Sequence, residues 1–370
     1  MNSPTIDIAK VRLQAELKHG RPLIGCRFDP SGRYVFASAE DDSVQRFDLL
    51  TGQKTAFGGH KSWVRGLAFV PSKSMAIVSS TALSAGALTG MSSTVRKPAP
   101  FALISGDYHG KLLWWNGIDD APKPAKTVAA HDGWIRAVAV SHDGATVASC
   151  GNDCLVKLWS AADGRAVRTL EGHASHVYNV AFHPDGKRLV SADLKGIIKD
   201  WDIAAGKVVR ELDAMVLHKY DSGFAADIGG IRGIAFDPAG TQLACIGITN
   251  VSNAFAGVGN PLVVRFDWAD GKPKQLKPKE AFQGTGWAVS IRADGTVIGA
   301  GGGGQGRIWF WNAADGANVH TVSVPANARD MAVHPDGTAL AIAGANGTCS
   351  LYTLTAAAAI TSPSTLAKKL

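Results

Sequence analysis

The sequence predicts an all-β protein: a seven-bladed β-propeller of four-stranded antiparallel blades, closed by an N-terminal strand that completes the last blade. Three observations carry that prediction. A Pro/His-Asp-Gly turn signal, or a variant of it, occurs as DPSG ending at Gly32, VPSK at Lys73, SHDG at Gly144, HPDG at Gly186, DPAG at Gly240, RADG at Gly295 and HPDG at Gly337. An aromatic residue follows at a fixed place late in each unit: Phe47, Trp115, Trp159, Trp201, Phe266, Trp311 and Tyr352. The turn signals are spaced by 41, 71, 42, 54, 55 and 42 residues. That spacing reduces to a basic unit of about 42 residues with three insertions, the length of a four-stranded blade.

Each unit reads as four strands in order. An apolar run precedes the turn signal, as in WIRAVAV and VYNVAF, and a second follows it, as in TVASC and RLVSA. A third run ends at the aromatic, as in CLVKLW and RIWFW, and a fourth comes after a polar turn such as AADG, as in RAVRTL. Short runs separated by Gly, Asp and Asn turns are antiparallel strands, lettered a to d below. The 42 glycines, roughly one residue in nine against a usual ~7%, supply the turns. The last unit has only ARDMAV, ALAIA and TCSLYTL before the small-residue tail 355–370. VRLQAELKHG near the N-terminus aligns with the strand d segment AVRTLEGH of the third unit. It is therefore expected to fill the missing place and leave no exposed sheet edge. The chain 1–370 then reads as one domain with a propeller core of about 11–354.

With 46% hydrophobic and 19% charged residues, the composition is that of a soluble protein with a sizeable core, not of a collagen-like or disordered chain. No apolar run reaches the ~18 residues that suggest a membrane span. The opening MNSPTIDIAKVRLQAEL is interrupted by Asp7, Lys10 and Arg12 and lacks a secretory apolar region, so cytoplasmic residence is expected. The cysteines at 26, 150, 154, 245 and 349 are scattered and form no CxxC. They indicate neither a disulfide framework nor a zinc site, and no metal or organic cofactor is implied.

The units resemble the WD-repeat β-propeller family, in its stand-alone, bacterial-type form, over about residues 11–354. Gly59-His60 and Gly172-His173 match its Gly-His pair before strand a, and Trp201-Asp202 matches its Trp-Asp pair ending strand c. Phe47-Asp48, Trp115-Asn116, Trp159-Ser160, Phe266-Asp267 and Trp311-Asn312 are degenerate versions. The resemblance implies a scaffold for partner proteins or peptides. It also implies a buried hydrogen-bonded set of one His, one Ser or Thr, one Asp and the strand c Trp within a blade, because buried polar groups need partners. The third unit matches at His131, Ser149, Asp153 and Trp159. Units two and four are expected to be partial, with His60, Ser105 and Trp115 around His109, and His173, Ser191 and Trp201 around Lys195. Units five to seven place Asp227, Phe282 and Val324 at the His position. A catalytic reading of His131, Ser149 and Asp153 is the rival to this structural one.

Function in such a ring sits on loops at its faces or at the channel mouth. The d–a and b–c loops share one face, called the top. Two insertions of the fifth blade rise there: 214–230, carrying Tyr220 and Phe224, and 249–261, carrying Phe255. Aromatics among glycines suit recognition, although such loops also pack on themselves. Aligning the strand a starts places Arg65, Arg136, Arg232 and Arg329 at one shared position, with Ile24, Tyr178 and Trp287 in the other blades and Trp63, Trp134 and His176 just before it. Such a ring would attract a carboxylate, phosphate or acidic peptide. Alternatively, each arginine pairs with a neighbouring Asp such as Asp330 and only tightens the inner strands.

The remaining features are less specific. Insertion 74–100 falls between strands a and b if Phe101–Ser105 is strand b, and is either a flexible excursion or a docking segment. GAGGGGQG at 299–306 runs into RIWFWN, a strand and not the helix a phosphate loop needs. The net charge of +7 gathers in KPKQLKPKE, residues 272–280, and supports no specific nucleic-acid binding. The reading is a non-catalytic interaction platform, a monomeric propeller or complex subunit that docks proteins or peptides on the top face and channel mouth. One rival is a propeller enzyme of the lactonase, hydrolase or quinone-dependent type, which needs converging carboxylates and His, often around a metal. The other is an anionic small-molecule sensor using the arginines.

Overall fold

The computed structural model describes residues 6–71, 98–253 and 258–355. Its strands form seven four-stranded antiparallel sheets and one two-stranded hairpin. Six of the larger sheets use four consecutive strands, as in the third blade: a, Ile135–Val140; b, Thr146–Gly151; c, Val156–Ser160; d, Ala166–Leu170. The seventh is closed by the N-terminal strand Arg12–Lys18, which lies beside Thr348–Thr353 with Leu13 opposite Tyr352 and Lys18 opposite Thr348. Backbone bonds from Asp7 to Leu354 (3.1 Å) and from His19 to Gly347 (2.9 Å) extend the closure past both ends of the strand.

The core is a ring as well. Seven apolar clusters occupy the seven interfaces between neighbouring blades. The fixed aromatic of each strand c faces backward onto the preceding blade: Trp115 joins Phe36 and Phe57 of blade one, and Trp201 joins Leu158 and Leu170 of blade three. Burial of each such ring is worth on the order of 3 kcal/mol, which explains why one recurs per unit. Strand b of the third blade is covered on both faces and is buried from Val147 onward, whereas its strand d is exposed except at Leu170. Gly59 and Gly172 have φ of +144°, and a Cβ would stand 3.2 Å from the Trp115 ring and 3.6 Å from the Trp201 ring. The Gly-His pair thus starts with glycine for its backbone conformation at both positions, with tight packing an added reason at Gly59.

The fifth blade departs from expectation. Residues 214–230 are not a plain loop: a 3-10 turn, Met215–Leu217, leads into a hairpin of His218–Asp221 and Ala226–Gly229, anchored by the fully buried Leu217. Most of 249–261 lengthens strands b and c, Gln242–Asn253 and Val258–Asp267, whose pairing continues through Ile248 with Pro261 and Thr249 with Asn260. Continuing the ladder keeps backbone groups hydrogen-bonded, which a free loop would not. The Lys219 ammonium donates to the Val251 carbonyl at 2.7 Å and ties the two insertions together. Phe255 lies outside the described residues, as do 74–97 of the 74–100 insertion and 356–370 of the tail. Strand b of the second blade is Ala102–Asp107, so that insertion departs between strands a and b.

The Gly-rich run is strand b through Gly302, a turn, then strand c from Gly306. A Cβ on Gly301 would stand 2.2 Å from the Thr285 carbonyl oxygen, so these glycines serve close strand packing. All five cysteines are free, and Cys154 alone among them is not buried. Among the described residues no helix is long and apolar enough to cross a membrane, and no group of three or more His, Cys, Asp or Glu is placed to hold a metal ion.

Candidate functional site

Two constellations stand out, one buried and one open. In the third blade His131 Nδ1 lies 2.9 Å from Asp153 Oδ1, His131 Nε2 lies 2.7 Å from Ser149 Oγ, and the Trp159 indole N–H donates to Ser149 Oγ at 2.9 Å. The second and fourth blades are complete too, contrary to the partial sets expected there. His60 meets Asp107 at 2.7 Å and Ser105 at 2.7 Å, with Trp115 donating to Ser105. His173 meets Asp193 at 3.0 Å and Ser191 at 2.6 Å, with Trp201 donating to Ser191. The carboxylate in these blades is the last residue of strand b, two residues ahead of the position held by His109 and Lys195. The third blade has Gly151 there and reaches its His from the following turn. Ser149 is fully buried, and the set ties the segment before strand a to strands b and c.

Burial pushes the Asp153 carboxyl upward, but its hydrogen bond and electrostatic contact with His131, the Leu155 amide and Lys157 outweigh that and hold it below the ordinary range. A depressed carboxyl stabilises the fold above its unfolded value, about 3.9, and loses that contribution as pH falls through the lower folded value. Urea unfolding between about pH 3 and pH 7 is expected to show stability declining below about pH 4, less steeply in Asp153→Asn. Equal slopes would remove Asp153 from the account.

The open constellation follows from a shared irregularity. In every blade the a–b register slips by one residue at the start of strand a, skipping Ile24, Arg65, Arg136, Tyr178, Arg232, Trp287 and Arg329. A bulged residue is released from the ladder and its side chain re-aimed. All seven line one cavity of about 370 Å³ at the top mouth of the channel, with Trp63, Tyr108, Glu40 and Asn327. The aromatics and guanidinium groups alternate across it. Trp134 stacks on Tyr108 at 4.2 Å, and Arg136 lies 4.5 Å from both the Trp134 and Tyr178 ring centres. Arg232 lies 4.6 Å from Tyr178 and 5.4 Å from Trp287, and Arg65 lies 5.8 Å from Trp287. These are cation–π distances that fix the guanidinium planes.

The expected pairing of each arginine with an Asp does not occur. Asp330 takes Arg27 instead, and Arg329 pairs with Glu40. Arg65 donates to the Ile24 carbonyl and Arg136 to the Asn152 side-chain oxygen at 2.8 Å. Among the described residues no carboxylate lies within ion-pair distance of Arg65, Arg136 or Arg232. Burial, reinforced by the Arg136 and Arg65 charges against a pull from Tyr178, lowers the Arg232 pKa, although arginine starts so high that it stays a cation. Burial and Arg136 also lower His176. Three buried atoms at the mouth have no hydrogen-bond partner among the described residues: Arg232 Nε, Trp287 Nε1 and Asn327 Oδ1.

The structure thus gathers Trp63, Arg65, Arg136, Tyr178, Arg232, Trp287 and Arg329 at one mouth, with Trp134 stacked beside it; His176 does not line the cavity. Tyr220 and Phe224 are exposed on the fifth-blade hairpin, apart from the cavity lining. Sequence reasoning missed Glu40, Tyr108 and Asn152. These share a place, the first residue past strand b, and their amides bond the carbonyls of Pro22, Trp63 and Trp134, each at 3.0 Å. Extending the alignment of units by one residue would have found them.

A closed ring of seven blades, pinned by buried His–Ser–Asp–Trp sets and presenting one bulged residue per blade, defines a rigid repeat scaffold with a single common mouth. Residues 122–160 and 164–202 match the family model described as WD domain, G-beta repeat. The chain is a seven-bladed β-propeller that carries WD repeats in its third and fourth blades, and WD-repeat propellers generally mediate protein–protein interaction. It is 33% identical over 150 residues to the Nuclear distribution protein PAC1 of Arthroderma benhamiae and, equally, to that of Trichophyton verrucosum. The match takes in 38% of this chain and 30% of each relative, so the chain spans under a third of the length of these curated relatives.

Proposed function

We propose that the protein is a non-catalytic, cytoplasmic interaction platform that docks partner proteins or peptides on its top face. The observation that carries this reading is the continuous run of aromatic and guanidinium groups from Trp63 through Tyr108, Trp134, Arg136, Tyr178 and Arg232 to Trp287. Trp63 and Trp134 are each 42% exposed, and rigid exposed aromatics beside arginine are the composition of binding hot spots. The fifth-blade hairpin supplies a second contact area through Tyr220 (58% exposed) and Phe224 (55%).

The test compares the parent with a variant carrying Trp134→Ala and a shortened 218–229 hairpin, once both show equal thermal stability. A stoichiometric partner should copurify with the parent and bind the variant at least about thirtyfold more weakly, the effect of losing a hot spot. A partner held equally by both proteins would move the docking surface elsewhere.

A further inference from the structure

Resting on that top-face reading, we infer that the channel mouth is a receptor for a phosphoryl group, carried by a partner's side chain or by a small phosphorylated molecule. The ionic balance of the cavity requires an anion. Four arginines and one carboxylate line it, and that carboxylate, Glu40, is engaged by Arg329. Arg65, Arg136 and Arg232 line one cavity with no carboxylate among the described residues at ion-pair distance, and like charges held together in a part-buried site repel one another.

The unmet hydrogen-bonding capacity has the same sign. Among the described residues, Arg232 Nε and Trp287 Nε1 are buried donors with no protein acceptor, and a buried donor is stabilised by gaining one. Turning the Asn327 amide over would replace its unpartnered oxygen with a third donor. What is missing is therefore a group that only accepts. The guanidinium planes are already held by ring faces, so little side-chain entropy is left to lose when an oxyanion arrives.

Charge and size select the phosphoryl group over a carboxylate. Lined by four positive charges and one negative, the mouth keeps an excess of two after taking a carboxylate, but only about 1 to 1.5 after taking a phosphomonoester of −1.5 to −2 charge. The three acceptor oxygens of a phosphoryl group also equal in number the three arginines that lack a carboxylate. About 370 Å³ holds a phosphorylated side chain or a small phosphoester, with the exposed Trp63 and Trp134 at the rim for whatever carries it.

The experiment titrates the purified protein with inorganic phosphate, O-phosphoserine and acetate at constant ionic strength, following heat and melting temperature. It repeats this with Arg65→Gln, Arg136→Gln and Arg232→Gln, three variants so that one failing to fold leaves two. Saturable stabilisation by both phosphates but not by acetate, weakened about ten- to a hundredfold by each folded variant, is the expected result. Equal stabilisation of parent and variants, or none by either phosphate, overturns the inference.

A peptide array in phosphorylated and plain forms then separates the sources. Phosphopeptides that outbind O-phosphoserine identify a partner's side chain. Binding confined to the free phosphates keeps the site and assigns it to a small molecule, at the expense of the docking platform. A top-face partner that ignores both phosphate and the arginine variants keeps the platform and removes the phosphoryl site.

Discussion

Deletion of residues 1–18 is expected to lower the melting temperature by about 10 °C or more and to make the protein aggregate on heating. The reason lies in what those residues cover. The strand Arg12–Lys18 pairs with Thr348–Thr353 at six positions, and ladder hydrogen bonds of about 0.5–1.5 kcal/mol each sum to roughly 3–9 kcal/mol. Ala15 and Leu17 pack on the cluster between the seventh and first blades, and Ile8 and Val11 on the cluster before it, so two interfaces loosen at once. The uncovered strand is buried over its whole length in the intact ring and becomes a bare edge, the kind that templates pairing with other chains. Scanning calorimetry and size-exclusion chromatography of the deletion protein read both effects, and a synthetic peptide of residues 1–20 added in trans should restore part of the loss. An unchanged melting temperature would mean that the ring is held by its blade interfaces alone.

Ser149→Ala is expected to cost about 2–5 kcal/mol, a large effect for the loss of one oxygen from a residue of nearly unchanged volume. The Trp159 N–H and His131 Nε2 both lose their partner, and each buried orphan costs about 1–3 kcal/mol. Ser105→Ala and Ser191→Ala should behave alike, because each serine takes the same two contacts. Urea unfolding of the three variants measures this directly. A catalytic serine would give the opposite pattern, lost turnover with little change in stability, so a stability-neutral Ser149→Ala would reopen the enzymatic reading.

The parts of the fold that could be read in the sequence are those where one physical requirement recurs once per blade. Each interface needs a large buried ring, so Phe47, Trp115, Trp159 and their counterparts repeat; the a–b turns among the described residues need a residue tolerating positive φ, so Gly32, Gly144, Gly186 and Gly337 repeat. The shared position of Arg65, Arg136, Arg232 and Arg329 was visible for the same reason, since the bulge falls at one place in every strand a. Asp107 and Asp193 escaped because a carboxylate can reach the same His from two backbone positions. A search at the Asp153 offset therefore finds His109 and Lys195 instead. The fifth-blade insertions were legible as extra length but not as strands, because Gly and Asn residues among the apolar ones mask the alternation that pairing through Thr249 and Asn260 reveals. Nothing local could show that Asp330 would be taken by Arg27, a residue 303 positions away.

Because the residue that reaches the mouth is in every blade the one omitted from ladder pairing, recognition and architecture are written in separate alphabets. The sheet constrains the neighbours of Arg65 or Tyr178 and leaves those side chains themselves almost unconstrained, so the opening behaves as a seven-letter word that can be respelled one letter at a time. On the proposed top-face reading, substitutions at positions 24, 65, 136, 178, 232, 287 and 329 change what such a ring binds while the blades keep their registers. On that same reading, kinship between blades is a poor guide to shared ligands, since the bulged positions are the ones the repeat leaves free to diverge.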